Sequence, residues 1–513
     1  MSLIENVPVE SHDPPHSADR ADRADRADRS HKSNPRVSRD SLGNPAASEL
    51  QALLAKMKAA ARKSGAPDYD TRIEHLDKLE RTVLARKHDI AKAIGMDFGV
   101  RSKHESLLAE VMMVVNAIKH ARAHLHEWME TEPREVSWMF LPGRAEVLMQ
   151  PLGVIGIIAP WNYPVQLALG PLVSALAAGN RAIIKPSELV PDTAELLKTM
   201  LTETFAPDHV SVVTGGIDVS EAVSLLPLDH LVFTGSTRVG KIVMKAAAEN
   251  LVPVTLELGG KSPAIVGEGY SIAQAAQKIM QGKCFNAGQT CIAPDYVMVP
   301  KGRADAFVEE CKAAFAAMYP RIQTNPDYTA IINDKQYERL QSVLKDARDR
   351  GAKIVELNPS KEELDPNARK MAPHLVLHAK DDTVLMQEEI FGPILPIRTY
   401  ESLDEAIAYV NDHPRPLALY FFEHDQKRID QVLRDTIAGG VSINETMLHC
   451  AQDDLPFGGV GASGMGAYHA REGFDTFTKK KPVFYQSRIN GSALLKPPYA
   501  KNIDFALKLL LGK

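Results

Sequence analysis

The chain has 513 residues, 44% of them apolar and 24% charged, with 60 Lys and Arg against 65 Asp and Glu for a formal net charge of −5. At roughly 150 residues per domain this predicts two or three units with a core large enough to need no disulfide or metal staple. The acidic balance excludes a general nucleic-acid binder, no apolar run reaches the ~18 residues of a spanning helix, and four cysteines (Cys284, Cys291, Cys311, Cys450), none in a C-x-x-C pair, exclude a disulfide framework and leave structural zinc without support.

Residues 1–45 carry Ala-Asp-Arg four times in a row from Ala18 to Arg29 and almost nothing apolar to bury, so a solvated, disordered arm is predicted. Pairs such as Asp19 and Arg23 allow a transient helix, and the acids argue against a transit peptide. With sparse cysteines and no apolar leader, the chain is expected in the cytoplasm. From Ser48 to about Glu130 the spacing is helical, as at Leu50, Leu53, Leu54 and Met57. A stretch holding Pro133 and Pro142 is predicted as an extended linker or hairpin.

From Val154 strands and helices alternate. Val154–Ala159, Arg181–Pro186, Val210–Thr214 and Leu231–Thr234 read as strands; Pro164–Ala178, Asp192–Phe205 and Arg238–Glu249 read as helices. The alternation restarts near Gly259-Gly260 with strands at Pro263–Val266 and Tyr296–Val299 and helices at Ile272–Phe285 and Ala304–Met318. The predicted fold class is therefore α/β, with two doubly wound units whose ligands bind beyond the carboxyl ends of the strands. From about Phe474 the chain reads as an extended arm. Its apolar last piece, Phe505–Leu511, suits packing on a partner subunit or contact with a membrane surface.

Gly235-Ser236-Thr237-Arg238-Val239-Gly240-Lys241 follows a strand and opens a helix, where N–H groups and the dipole would favour a pyrophosphate. The next residue is Ile242, and a P-loop needs Ser or Thr there for Mg²⁺, which argues against triphosphate hydrolysis. The loop is not a Rossmann G-x-G-x-x-G either, and a plain strand-to-helix turn is an equal reading.

Three further residues are candidates for chemistry. Cys291 follows a predicted helix in the small-residue segment Phe285–Cys291; it is either a buried structural thiol or a nucleophile whose pKa a helix end or backbone donors could lower. Glu257 ends a buried strand between Leu256 and Leu258, where burial would raise its pKa into the range of a general base; a salt-bridged glutamate is the alternative. Asn162, in Pro160-Trp161-Asn162-Tyr163, is either a turn residue or a side-chain donor to a developing oxyanion.

Together these segments resemble the aldehyde dehydrogenase superfamily. Pro160-Trp161-Asn162, Lys185-Pro186-Ser187-Glu188, Phe233-Thr234-Gly235-Ser236, Leu256–Pro263, Phe285–Cys291 and Glu388-Glu389-Ile390-Phe391-Gly392-Pro393 follow in family order over about residues 50–485. Cys291-Ile292-Ala293-Pro294-Asp295-Tyr296 and the glycine-rich Leu455–Gly466 resemble the class 3 branch, and within it the bacterial coniferyl aldehyde dehydrogenases.

The resemblance implies NAD-binding segments at 46–132 and 151–257, a catalytic domain at 258–445, and a small β oligomerisation arm from 133–150 and 474–513. It implies that Cys291 attacks the aldehyde, that Asn162 and the Cys291 N–H hold the oxyanion, and that Glu257 activates water to release an acid from a thioester. Family positions that touch the dinucleotide fall on Trp161, Lys185, Glu188, Gly235, Ser236, Val239, Gly240, Leu258, Glu389 and Phe391. The implied cofactor is NAD, with NADP possible and no metal. The implied partners are an aldehyde, aromatic or alternatively a medium- or long-chain fatty aldehyde, and a second copy of the chain in a homodimer.

Overall fold

The computed structural model describes residues 45–491, 496–499 and 501–511. The Ala-Asp-Arg repeat lies outside them. Two α/β units and a β arm make up the described chain.

In the first unit, strands Val154–Ile158, Arg181–Lys185, Val210–Val212, His230–Thr234 and Val254–Glu257 run parallel, and Gly464–Met465 adds an antiparallel edge. Every residue of Val154–Ile158 is buried, as a parallel sheet covered on both faces requires. The two faces follow the strand period of two. Ile155 and Ile157 join the cluster under helices Tyr69–Ala85, Met113–Met129 and Gln166–Ala177. Val154 and Ile158 join the cluster under Pro45–Ser64, Ile217–Ser224 and Thr237–Ala248.

The second unit has seven strands in the order Lys353–Glu356, His374–Leu377, Ile394–Tyr400, Tyr296–Pro300, Pro263–Val266, Ala418–Phe422 and Gly440–Ile443. All are parallel except the first. The same alternation divides its core: Ala264 and Val266 pack on one face, Ile265 on the other.

The arm is an antiparallel sheet of Glu132–Arg134, Arg144–Pro151 and Thr478–Tyr485. Trp138, Phe140, Leu141 and Phe484 stand exposed on it. Three expectations are corrected at the chain ends. Helix Pro45–Ser64 already includes Pro45, since proline is tolerated in a first helical turn. Phe474 is not extended. It lies fully buried in helix Ala470–Thr476 with its ring 5.7 Å from Trp128, and the strand begins only at Thr478. Residues 501–511 form a helix and are not extended. Among the described residues no helix is long and apolar enough to cross a membrane.

Candidate active site

The carboxyl ends of four neighbouring strands lie level: Ile158 stands opposite Lys185 on one side and Phe233 on the other, and Thr234 opposite Glu257. Register therefore gathers Trp161, Asn162, Lys185, Glu188, Gly235, Ser236 and Leu258 along one edge. The chain also steps outward from Val154–Ile158 to Val210–Val212 and then restarts on the opposite side with His230–Thr234. A reversal of this kind opens a crevice for ligands.

Ser236 caps helix Thr237–Ala248, its hydroxyl accepting from the Val239 N–H at 3.4 Å. A side-chain carbon at Gly235 would come within 2.6 Å of the Phe233 ring, and one at Gly240 within 2.6 Å of Leu258, so both glycines permit close approach. Lys185 is buried, donates to the Pro186 carbonyl at 2.7 Å, and lies 3.6 Å from the half-exposed Glu188 carboxylate. Burial holds its pKa below the usual lysine range, against the attraction of Glu188. The Thr234 hydroxyl is buried with no hydrogen-bond partner. An open helix N-terminus, an accessible carboxylate and an orphaned hydroxyl fit the phosphates and hydroxyls of a dinucleotide.

Glu389 and Phe391 arrive from the second unit. The Phe391 ring meets Trp161 edge-on at 5.3 Å. The Glu389 carboxylate presses on Gly259, where any side-chain carbon would collide with it. Burial, with Asp295 nearby, raises the Glu389 pKa to about 8.

Helix Ile272–Cys284 leads into the loop that carries Cys291. Asn286, Ala287 and Gly288 follow with φ of 51°, 50° and 74°. Non-glycine residues in that region cost about 1–2 kcal/mol each, and surrounding bonds hold them there. Gln289 Nε2 donates to the Asn286 and Ala330 carbonyls at 3.0 Å each, and its Oε1 accepts from Ile332 N–H at 3.0 Å. Thr290 bonds the Tyr163 hydroxyl at 2.7 Å. The Asn162 side-chain amide donates to the Gln289 carbonyl at 3.2 Å, two residues before Cys291.

Cys291 is half-buried. Burial pushes its thiol pKa up, and Glu389, Cys450 and Glu257 act in the same direction, while its own backbone N–H acts against them. Burial therefore favours the thiol over the thiolate, and the backbone N–H does not offset it. Glu257 closes its strand with both carboxylate oxygens buried and without hydrogen-bond partners. Burial alone raises its pKa well above the usual range, so the salt-bridged alternative does not hold.

A buried charge network beneath both loops went unseen in the sequence. Arg101 donates to the Asn162 carbonyl at 2.6 Å and pairs with Glu110 at 3.3 Å, both side chains having no exposed surface. Glu110 accepts from the Val165 and Gln166 N–H groups at 2.8 and 3.1 Å. Glu105 accepts from the Asn286 N–H at 3.1 Å and the Thr329 hydroxyl at 3.2 Å, and burial lifts its pKa to about 7. The available signal was Glu110 itself, a charge four residues before Val114 on an apolar helical stripe.

Cys291 lies on the wall of a cavity of about 290 Å³, lined by apolar side chains that include Leu108, Met112, Met113, Leu167, Met447 and Phe457. Cys450 and His469 line it as well. His469 stacks on Phe457 at 5.1 Å, and burial lowers its pKa to about 4, which leaves it neutral at pH 7.

A sequence model of the aldehyde dehydrogenase family matches residues 29–483. The chain is 50% identical to a probable coniferyl aldehyde dehydrogenase of Pseudomonas aeruginosa, covering 89% of this chain and 95% of that one. It is 46% identical to the coniferyl aldehyde dehydrogenase of a Pseudomonas species, covering 91% and 97%. Among solved structures, a substrate-bound state of Staphylococcus aureus AldH superposes with a TM-score of 0.85 at 41% identity, covering 90% of this chain and 99% of that one. The chain belongs to the aldehyde dehydrogenase family and is an NAD(P)-dependent enzyme of that family.

Proposed function

We propose that the chain oxidises an aromatic aldehyde of the coniferyl type to its carboxylic acid, with NAD preferred. The observation that carries the chemistry is the Cys291 sulfur on the wall of an apolar cavity, with the Asn162 amide bonded into its loop and the unpaired Glu257 carboxyl within electrostatic range of the sulfur.

In this account Cys291 forms a carbon–sulfur bond to the aldehyde carbon, and its proton passes to a carboxylate or to water. Asn162 Nδ2, with one proton already engaged by Gln289, offers its second to the oxyanion alongside the Cys291 N–H. A bound nicotinamide dinucleotide supplies the hydride acceptor. The resulting thioester stays on Cys291 until Glu257, in its ionised form, takes a proton from water; the hydroxide equivalent attacks the acyl carbon and the sulfur leaves. Glu188 supports the NAD preference, because a carboxylate there accepts from ribose hydroxyls and repels a 2′-phosphate. Met112, Met113 and Phe457 offer polarisable surfaces to a flat ring, and the names of the two Pseudomonas relatives support that substrate class.

We further assign dinucleotide binding to the six-stranded unit, and a homodimer contact to the arm, whose tip exposes Trp138 and Leu141. Replacing Cys291 by Ala tests the core of the proposal: NADH formation is lost while NAD still binds by calorimetry. Turnover like the parent's would remove the cysteine from the chemistry. Comparing kcat/KM for coniferaldehyde, benzaldehyde, hexanal and decanal tests the substrate class, with coniferaldehyde expected to lead.

A further inference from the structure

We propose that Glu445 forms a subsite that reads a hydroxyl on the substrate's ring, an inference that rests on the aromatic-aldehyde reading above. Among the described residues that line the cavity holding Cys291, Glu445 is the sole Asp, Glu, Lys or Arg.

Its placement is fixed from several directions. Strand Gly440–Ile443 ends at Asn444, whose φ of 58° turns the chain, while its side-chain amide exchanges two 2.8 Å bonds with the Glu423 backbone. The next residue is Glu445. Its Oε2 accepts from Lys278 Nζ at 2.6 Å, and its Oε1 accepts from the Thr446 N–H at 2.9 Å. The Thr446 hydroxyl in turn donates to the Lys278 carbonyl at 3.1 Å. An ionised carboxylate offers about four acceptor positions, so two remain for a ligand.

Depth separates the two ends of the cavity. Around Cys291 the lining is closed, with Thr290 at 5%, Ile292 at 3% and Tyr468 at 0% exposure. Glu445 keeps 29% of its side chain exposed, and Leu108, Met112 and Leu448 beside the opening are exposed too. A substrate whose carbonyl carbon meets the sulfur therefore turns its far end towards Glu445. For an alkyl tail that carboxylate would be a poor neighbour. For a 4-hydroxylated ring it is a matched acceptor, and the phenolic O–H donates to a free Glu445 oxygen in a charge-assisted bond.

The test compares coniferaldehyde with cinnamaldehyde, which lacks the hydroxyl, and with decanal. In Glu445→Ala, kcat/KM for coniferaldehyde falls roughly tenfold, the loss of one hydrogen bond to a charged group, mostly through KM. Cinnamaldehyde changes by less than about twofold, which also shows that the variant is folded. Glu445→Gln, which keeps one neutral acceptor, loses less coniferaldehyde activity than Glu445→Ala but does not match the parent. An equal fall for both aromatic aldehydes, or no fall for either, overturns the subsite while leaving the aromatic reading intact. A parent enzyme with higher kcat/KM for decanal than for either ring overturns both.

Discussion

The side chain of Asn162 is bonded to the loop of Cys291: its amide donates to the Gln289 carbonyl at 3.2 Å, from a position 127 residues earlier in the chain. Removing that amide in Asn162→Ala is expected to lower kcat by about 10²–10³, the usual effect of deleting one oxyanion donor, with a smaller change in KM. Steady-state kinetics at saturating dinucleotide check this. A change confined to KM would show that the amide only shapes the loop.

In the proposed mechanism Glu257 acts on release and not on acylation. In Glu257→Gln a first turnover of NADH is expected to survive as a burst while steady-state turnover falls by roughly 10²–10⁴. In the parent the carboxyl pKa is raised by burial, so the ionised base becomes more abundant, and release faster, as pH rises. The variant should lose this limb of the profile. Stopped-flow measurements across pH 6–9 would contradict the role if both proteins kept it.

The same raised pKa makes a stability prediction. At pH above the unfolded value of a glutamate the unfolded chain has released this proton while the folded chain retains it, so stability falls as pH rises towards the folded pKa. Glu257→Gln has no such proton. Its Tm should exceed the parent's by a margin that widens from pH 6 to pH 9. A margin that narrows would place an ionised, stabilised carboxylate at that position.

Arg101 is the keystone of the buried network. Arg101→Met leaves Glu110 an unpaired buried charge, which typically costs about 3–5 kcal/mol, and a lowered Tm is expected. Adding Glu110→Gln should recover much of the Tm but not of kcat, because the Asn162 carbonyl still lacks its 2.6 Å donor. A single variant as stable as the parent would mean that the pair is dispensable.

These examples show which parts of the fold are written locally. Ile155 and Ile157 against Val154 and Ile158 is a period of two within five residues, and strand, sheet face and crevice all follow from it. Glu257 was legible because a carboxylate closing an apolar strand conflicts with its surroundings. Arg101 with Asn162, and Glu105 with Asn286, are partners across 61 and 181 residues. No local pattern encodes such a pairing. Phe474 misled for the same reason: its partner Trp128 lies in a distant helix. The strained run Asn286-Ala287-Gly288 is likewise held by bonds to Glu105 and by the contacts of Gln289 with Ala330 and Ile332, all remote in the chain.

The role proposed for Glu188 in dinucleotide preference is open to a direct test. Replacing it by Ala removes the charge set against a 2′-phosphate and should raise the ratio of NADP to NAD kcat/KM by about tenfold or more, mainly by weakening NAD. An unchanged ratio would move the discrimination elsewhere in the crevice.

Two thiols, Cys291 and Cys450, line one cavity, so the acylated sulfur can be identified directly. Mixing Glu257→Gln with coniferaldehyde and NAD, quenching in acid during the burst, and mapping the peptides by mass spectrometry should find the acyl group on the peptide carrying Cys291 in near one-to-one yield. An acyl group on Cys450, or a full burst of NADH with no acylated peptide, would contradict the account.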